Sequence, residues 1–270
     1  QIFKFFFNME SRNHYLRIIP SLLLSENKLV KGTNFRNHKN AGSPVSTVVA
    51  FESQGADEIS LIDIDTYHNK SIGPNLKMLK EISKICSTPI TFGGGIKDLK
   101  TAREIIKSGA EKIYINRKIL EDLSFAKSLV KEFGGQAVVV GINIIQNNNE
   151  YEIYENNKIG IFEYVKKVQN LGIGEIKFMF VNNEGNKLGL DLNFCEMILK
   201  HINVPSIFEG GIGSLEHLEQ AFDKKVKAIA LGSLLTFNDY NIVKIKRHLF
   251  NKNYKVRLWF KKYWYKPCYS

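Results

Sequence analysis

Two short stretches carry the residue types that hold an anion. Thr91-Phe92-Gly93-Gly94-Gly95-Ile96 and Phe208-Glu209-Gly210-Gly211-Ile212-Gly213 each close an apolar run and precede a helical pattern. Glycines at a strand-to-helix turn leave backbone N–H groups uncovered, and the helix that follows adds positive potential, which together make a cradle for phosphate. The two stretches align without a gap. The register persists through the next helix, so that Glu111-Lys112-Ile113-Tyr114-Ile115-Asn116 falls on Lys227-Ala228-Ile229-Ala230-Leu231-Gly232. A strand, a glycine turn, a capped helix and a second strand therefore occur twice, as in a chain of two similar halves. One anion-binding turn per half points to a ligand with a phosphate at each end.

Other groups suit acid–base chemistry. Asp63 and Asp65 end a β-type run, where a carboxylate can act as general base, and Glu184 is the acid of the segment Asn182-Asn183-Glu184-Gly185. His14, His38, His68, His201, His217 and His248 share no spacing, and Cys86, Cys195 and Cys268 show no ligand pattern. No metal centre and no cofactor is expected. The cysteines read as free thiols of a reducing cytosol, so a cytoplasmic location is expected.

These groups need elements to position them, and the chain supplies a regular alternation. The first strand is Leu16–Leu24, followed by the basic loop Lys28–Phe35. Helical periodicity at Val45–Gln54 precedes a strand at Glu58–Asp63, and the helix Asn75–Ile85 leads into the first glycine strand. After the helix Asp98–Ser108 come the strand Glu111–Ile115, the helix Leu123–Glu132 and the strand Gln136–Ile142. That last run is all Val/Ile/Ala/Gly after its first residue, the mark of a strand buried on both faces of a parallel sheet. An Asn-rich, hairpin-like insertion (Ile144–Lys158) precedes the helix Phe162–Asn170, the strand Glu175–Phe180, the helix Asn193–His201 and the strand Val204–Phe208. The second glycine turn, a helix, the strand Lys227–Leu231 and a helix at Tyr240–Leu249 complete eight βα units. Eight units with half-chain duplication predict a closed (β/α)₈ TIM barrel over residues 16–250. Residues 1–15 are expected to be a poorly ordered leader, and 251–270 a basic, aromatic tail.

In such a barrel, ligands bind at the C-terminal ends of the strands. Two phosphate sites follow: Gly94 and Gly95 with Asn116, and Gly185, Gly210 and Gly211 with Gly232 and Ser233. The net charge of +11 is concentrated partly in Lys252, Lys255, Arg257, Lys261, Lys262 and Lys266 of the tail. Without a recognition motif for nucleic acid, that charge fits phosphorylated substrates and an acidic partner surface instead. No apolar run approaches the ~20 residues of a membrane helix.

Several segments together, Val30-Lys31-Gly32-Thr33-Asn34-Phe35, the first glycine turn, Ile115-Asn116, Gln136–Val140 and Glu175…Gly185…Gly189-Leu190-Asp191, resemble one family. It is the cyclase subunit of imidazole glycerol phosphate synthase (HisF), and the resemblance spans about Leu16 to Leu249. It implies a half-duplicated barrel that forms a heterodimer with a HisH-type glutaminase and takes ammonia along its axis to a phosphorylated small molecule. The resemblance makes Lys31 a substrate-loop contact and Arg17, Glu58, Lys112 and Glu175 a charged gate at the ammonia entrance. It also places the family's two cyclase aspartates at Leu23 and Asn143, which can do no acid–base work, leaving Asp63 and Glu184 as possible replacements. Three readings stay open: a divergent member serving acetamidino-sugar synthesis, an ordinary histidine-biosynthesis cyclase, and a non-catalytic activator of the glutaminase.

Overall fold

The computed structural model describes residues 15–68, 72–148, 150–154, 156, 158–236 and 239–258. Eight parallel strands close on themselves. They are β1 (Arg17–Ser25), β4 (Ile59–Asp63), β5 (Ile90–Gly93), β6 (Lys112–Ile115), β7 (Val138–Asn147), β9 (Glu175–Phe180), β10 (Ser206–Glu209) and β11 (Ala228–Leu231). Each pairs with the next, and β11 pairs with β1, with Arg17 opposite Ala228. The (β/α)₈ barrel read from the sequence is thus the fold.

Helices α1 (Pro44–Ser53), α3 (Leu76–Ser83), α4 (Leu99–Lys107), α6 (Leu123–Phe133), α7 (Ile161–Gln169), α8 (Leu192–Leu199), α9 (Leu215–Asp223) and α11 (Ile242–Asn251) cover the outside. Short helices α2 (Asp65–His68), α5 (Arg117–Glu121) and α10 (Ser233–Thr236) sit at the strand ends. The buried faces of α4 (Ala102, Ile105) and α9 (Leu218, Ala221, Phe222) follow helical spacing and join one continuous apolar core with the outward faces of the strands.

The two halves repeat in detail. Asp98 caps α4 by accepting from the Thr101 amide, and Ser214 caps α9 by accepting from the His217 amide, with nearly the same backbone angles. Gly94 (φ +111°) and Gly210 (φ +110°) both lie against the last carbonyls of the preceding strand. A Cβ would stand 2.1 Å from the Asp63 oxygen in one and 2.6 Å from the Phe180 oxygen in the other. Only glycine fits such a position.

One element differs from the sequence reading. The stretch Lys28–Phe35 is not a loop: β2 (Lys28–Thr33) continues β1 as an antiparallel hairpin with β3 (Arg36–Gly42), turning at Asn34 and Phe35, both at positive φ. β2 buries Leu29, Lys31 and Gly32. The start of the tail is docked: Leu16 donates to the Lys255 carbonyl at 2.8 Å, and Tyr254 and Val256 are buried. The insertion after β7 is a hairpin with β8 (Glu150–Ile153). The leader, apart from Tyr15, and tail residues 259–270 lie outside the described residues. Among the described residues, no helix is long and apolar enough to cross a membrane.

Candidate active site

At the C-terminal ends of the strands lies a cavity of about 650 Å³. It brings together Leu23, Asp63, Gly94, Gly95, Asn116 and Asn143, six residues singled out in the sequence from five different strands or their ends. Lys97, Arg117 and Lys118 line the same side as the first glycine turn, which suits an anion there. Phe35 and Tyr154, edge to face at 5.8 Å between centroids, line the same cavity along with Leu120 and Ile64.

Asp63 is buried, and both its oxygens accept backbone amides, Oδ1 from Asp65 at 3.1 Å and Oδ2 from Asn75 at 2.8 Å. Burial, which these bonds only partly offset, raises its pKa. Asp63 thus organises the loop after β4 while lining the cavity. Asp65 accepts from the Ser25 hydroxyl and the Glu26 amide, tying the end of β1 to that loop.

The second group of glycines lies elsewhere. Gly185, Gly210, Gly211, Gly232 and Ser233 surround a separate space of only about 20 Å³, together with Lys31, Glu184 and Glu209. Lys31 and Glu184 form a buried ion pair. Glu184 also accepts from the Phe35 amide at 3.2 Å, and its carbonyl accepts from the Asn34 amide at 3.0 Å. The β2–β3 hairpin is thereby latched to the loop after β9.

At the opposite end of the barrel the four predicted gate residues converge. Lys112 donates to Glu58 at 2.7 Å and to Glu175 at 2.8 Å, and Arg17 bridges the same two carboxylates, 3.5 Å from Glu58 and in tight contact with Glu175. Thr91 donates to the remaining Glu58 oxygen at 2.6 Å. Burial opposes charge on Glu175, yet Arg17 and Lys112 outweigh it and hold its carboxyl below the usual range. Lys112 is raised on balance: burial works against its charge, and the two glutamates more than compensate.

The histidine biosynthesis protein family matches residues 17–241. Among curated relatives, the imidazole glycerol phosphate synthase subunit HisF of Alkaliphilus metalliredigens (strain QYMF) is 34% identical over 248 residues, which span 89% of this chain and 98% of that protein. The subunit of the same name from Thermococcus onnurineus (strain NA1) is 32% identical over 248 residues, with 90% and 98% covered. The chain is a HisF-like member of the histidine biosynthesis protein family.

The HisF-like interior holds a cluster that sequence reasoning missed. Side chains alternate along β9, so Glu175, Lys177 and Met179 share the inward face, about 7 Å apart per step. Lys177 lies above the charged ring and pairs with Glu209 of β10 at 2.5 Å, both side chains 4% exposed. The Lys177 ammonium also donates to Ser60 at 3.1 Å and Ser21 at 3.3 Å, and sits 5.3 Å from the centroid of the Tyr114 ring. Burial works against charge on Glu209, but Lys177 and then Lys31 reverse the balance and keep its pKa below the usual value. Tyr114 crosses the interior where Gly93 and Gly141 leave room, for a Cβ at either would strike its ring or hydroxyl. Its hydroxyl is pushed up by burial and then by Glu209. The signal was present as Glu175-Ile176-Lys177, two charges two residues apart in an otherwise apolar strand. Lys177 and Glu209 line the floor of the large cavity. Among the described residues, no three His, Cys, Asp or Glu side chains form a metal-binding group.

Proposed function

We propose that this chain is a HisF-type synthase subunit that receives ammonia from a HisH-type glutaminase and passes it along the barrel axis to a phosphorylated acceptor. In this reading it is a divergent member whose acceptor is an acetamido sugar, converted to an acetamidino sugar as ammonia adds to the amide carbon and the amide oxygen leaves as water. The observation that carries the proposal is the pairing of an intact charged ring at one mouth with Leu23 and Asn143 at the other. A ring of Arg17, Glu58, Lys112 and Glu175 suits a guarded entrance for a small neutral molecule. Leucine and asparagine cannot exchange protons near neutral pH, so cyclisation that depends on two carboxylates has lost its means. The relatives' names supply the synthase precedent and the idea of a partner subunit.

The phosphate of the acceptor is assigned to Gly94, Gly95 and Asn116, with Lys97 and Arg117 beside it. Lys31 steadies the hairpin that borders the cavity. A second reading, the ordinary histidine cyclase, draws on the retained Lys31–Phe35 segment and the first glycine turn. A third, a non-catalytic activator, draws on the absence of both aspartates. The test is reconstitution with a HisH-type glutaminase and ¹⁵N-amide glutamine. One reaction contains a nucleotide-activated acetamido sugar, the other the phosphoribulosyl-formimino intermediate of histidine synthesis. Label in a sugar amidine supports the proposal. Label in imidazole glycerol phosphate establishes the cyclase reading, and glutamate release without transferred label establishes the activator.

A further inference from the structure

Lys177 crosses the barrel. Its strand, β9, and β4 stand four strands apart either way round the closed sheet, so they face each other across the axis. The Lys177 ammonium nevertheless donates to Ser60 of β4 at 3.1 Å, which carries the side chain over that axis. It donates also to Ser21 of β1 at 3.3 Å and pairs with Glu209 of β10 at 2.5 Å. The Tyr114 ring of β6, its centroid 5.3 Å from Nζ, offers its face to the charge. Two hydroxyls, a carboxylate and an aromatic face thus converge on one nitrogen, each from a different strand.

One of these partners is not fully used. Glu209 is 3% exposed, and its Oε2, the oxygen beside the Lys177 ammonium, accepts no hydrogen bond. The lysine stem fixes where its three N–H groups point, and two of them go to Ser21 and Ser60. A buried acceptor left in that state is costly, which makes it a place for a further donor. An ammonium ion carries four N–H groups and no stem. It can serve Ser21, Ser60 and Glu209 Oε2 together and keep one N–H for the Tyr114 face. Toward β10, β11 and β1, Ile19, Ile207, Ala228 and Ala230 form a buried apolar cluster, which strengthens each charged contact beside it. The large cavity opens directly above, for Ser21, Tyr114, Lys177 and Glu209 all line it.

We infer that Ser21, Ser60, Glu209 and the Tyr114 face form a binding site for ammonium on the barrel axis, directly below the cavity, and that Lys177 fills it with its own ammonium. The site is a property of this chain alone and does not require the proposed delivery. Where ammonia is delivered, this is the last polar station below the acceptor.

Removing the tethered nitrogen tests it, in thermal melts of the full chain without glutaminase. Ammonium chloride at about ten times its dissociation constant should raise the melting temperature of Lys177→Ala by about 3–5 °C over sodium chloride. Wild type, whose site is filled, should melt alike in both salts. Potassium, similar in size but without N–H groups, and tetramethylammonium, too large for the site, should act like sodium. Propylammonium, which restores the missing side chain, should stabilise at least as much as ammonium. Adding Glu209→Gln to Lys177→Ala removes the carboxylate and should abolish the ammonium effect. If Lys177→Ala is unfolded in sodium chloride, recovery of its native circular dichroism on adding ammonium supports the same site. Equal stabilisation by potassium makes this a general monovalent-cation site, and rescue by propylammonium alone makes it a socket for the lysine stem. Either result overturns the inference, as do a rise that wild type shares and the absence of rescue, up to about 0.5 M, by any nitrogen cation. Neither glutaminase nor acceptor is present, so failure of the ammonia-delivery reading leaves these melts unchanged and is detected separately by the ¹⁵N experiment.

Discussion

In the proposed reading, Leu23 and Asn143 limit the chemistry of the cavity they line. General acid–base catalysis typically contributes about 10²–10⁴-fold, and neither side chain supplies it. With saturating ammonium and no glutaminase, turnover of the phosphoribulosyl-formimino intermediate should fall about 10²–10⁴-fold below that of a HisF carrying both aspartates. Turnover at the full level would move the role to Asp63 or to the Lys177–Glu209 pair. That pair also carries a stability prediction. Lys177→Met strands a buried carboxylate, and unfolding in urea should show a loss of about 3–5 kcal/mol. Replacing both partners, Lys177→Met with Glu209→Met, should recover much of the loss, since an apolar pair leaves no charge unmatched. A double variant as unstable as the single one would show that Ser21, Ser60 and Tyr114 depend on the charge.

At the scale of elements, the glycine turns are built by contact as much as by conformation. Gly94 has φ +111° and leaves 2.1 Å between a new Cβ and the Asp63 carbonyl oxygen, which is rigid backbone. Gly94→Ala should therefore cost more than the ~1–3 kcal/mol of an unfavourable backbone conformation alone. Gly160, with open space around its Cβ position and ordinary φ, should accept alanine within about 0.5 kcal/mol in the same thermal melts. A Gly94→Ala melt equal to wild type would mean that the turn can re-form around the methyl group. The turns, their caps and the strand order were legible in the sequence, because period, glycine and cap residues are local signals. The β2–β3 hairpin was not. Its outer strand Arg36–Gly42 is almost wholly exposed and polar, so it lacks the alternation that marks a half-buried strand. The latch of that hairpin was hidden for another reason. It depends on Lys31 meeting Glu184 across 153 residues, and no local pattern records such a pair. Lys177 escaped notice because its partners Glu209, Ser21 and Ser60 lie on other strands, far from it in the sequence.

Across the whole molecule, the charged ring and the cavity stand at opposite ends of one axis, with the Lys177 layer between them. The ring has a defined working range. Glu175 is held below its usual 4.5, so its contribution is present above that value and fades as pH falls through the lowered one. Lys112 is raised above its usual 10.5, so its contribution is present below 10.5 and fades as pH rises through the raised value. Glu175 and Lys112 are thus both charged through the neutral range. Removing Lys112 leaves Glu58 and Glu175 with only Arg17 between them, and the two carboxylates should spread apart or take up a proton. In Lys112→Ala the glutaminase complex should still assemble, because the remaining surface is untouched, while the entrance leaks. The measurement is free ammonium released per glutamate formed, with a HisH-type glutaminase and acceptor present. Wild type should release little, and the variant should approach one ammonium per glutamate at about pH 7, where the wild-type ring is intact. The melting-temperature gap between wild type and variant should stay constant from about pH 6 to about pH 9 and shrink below about pH 4. An unchanged ammonium ratio would reduce the ring to a structural closure of the barrel floor, and delivery of ammonia would then need another entrance.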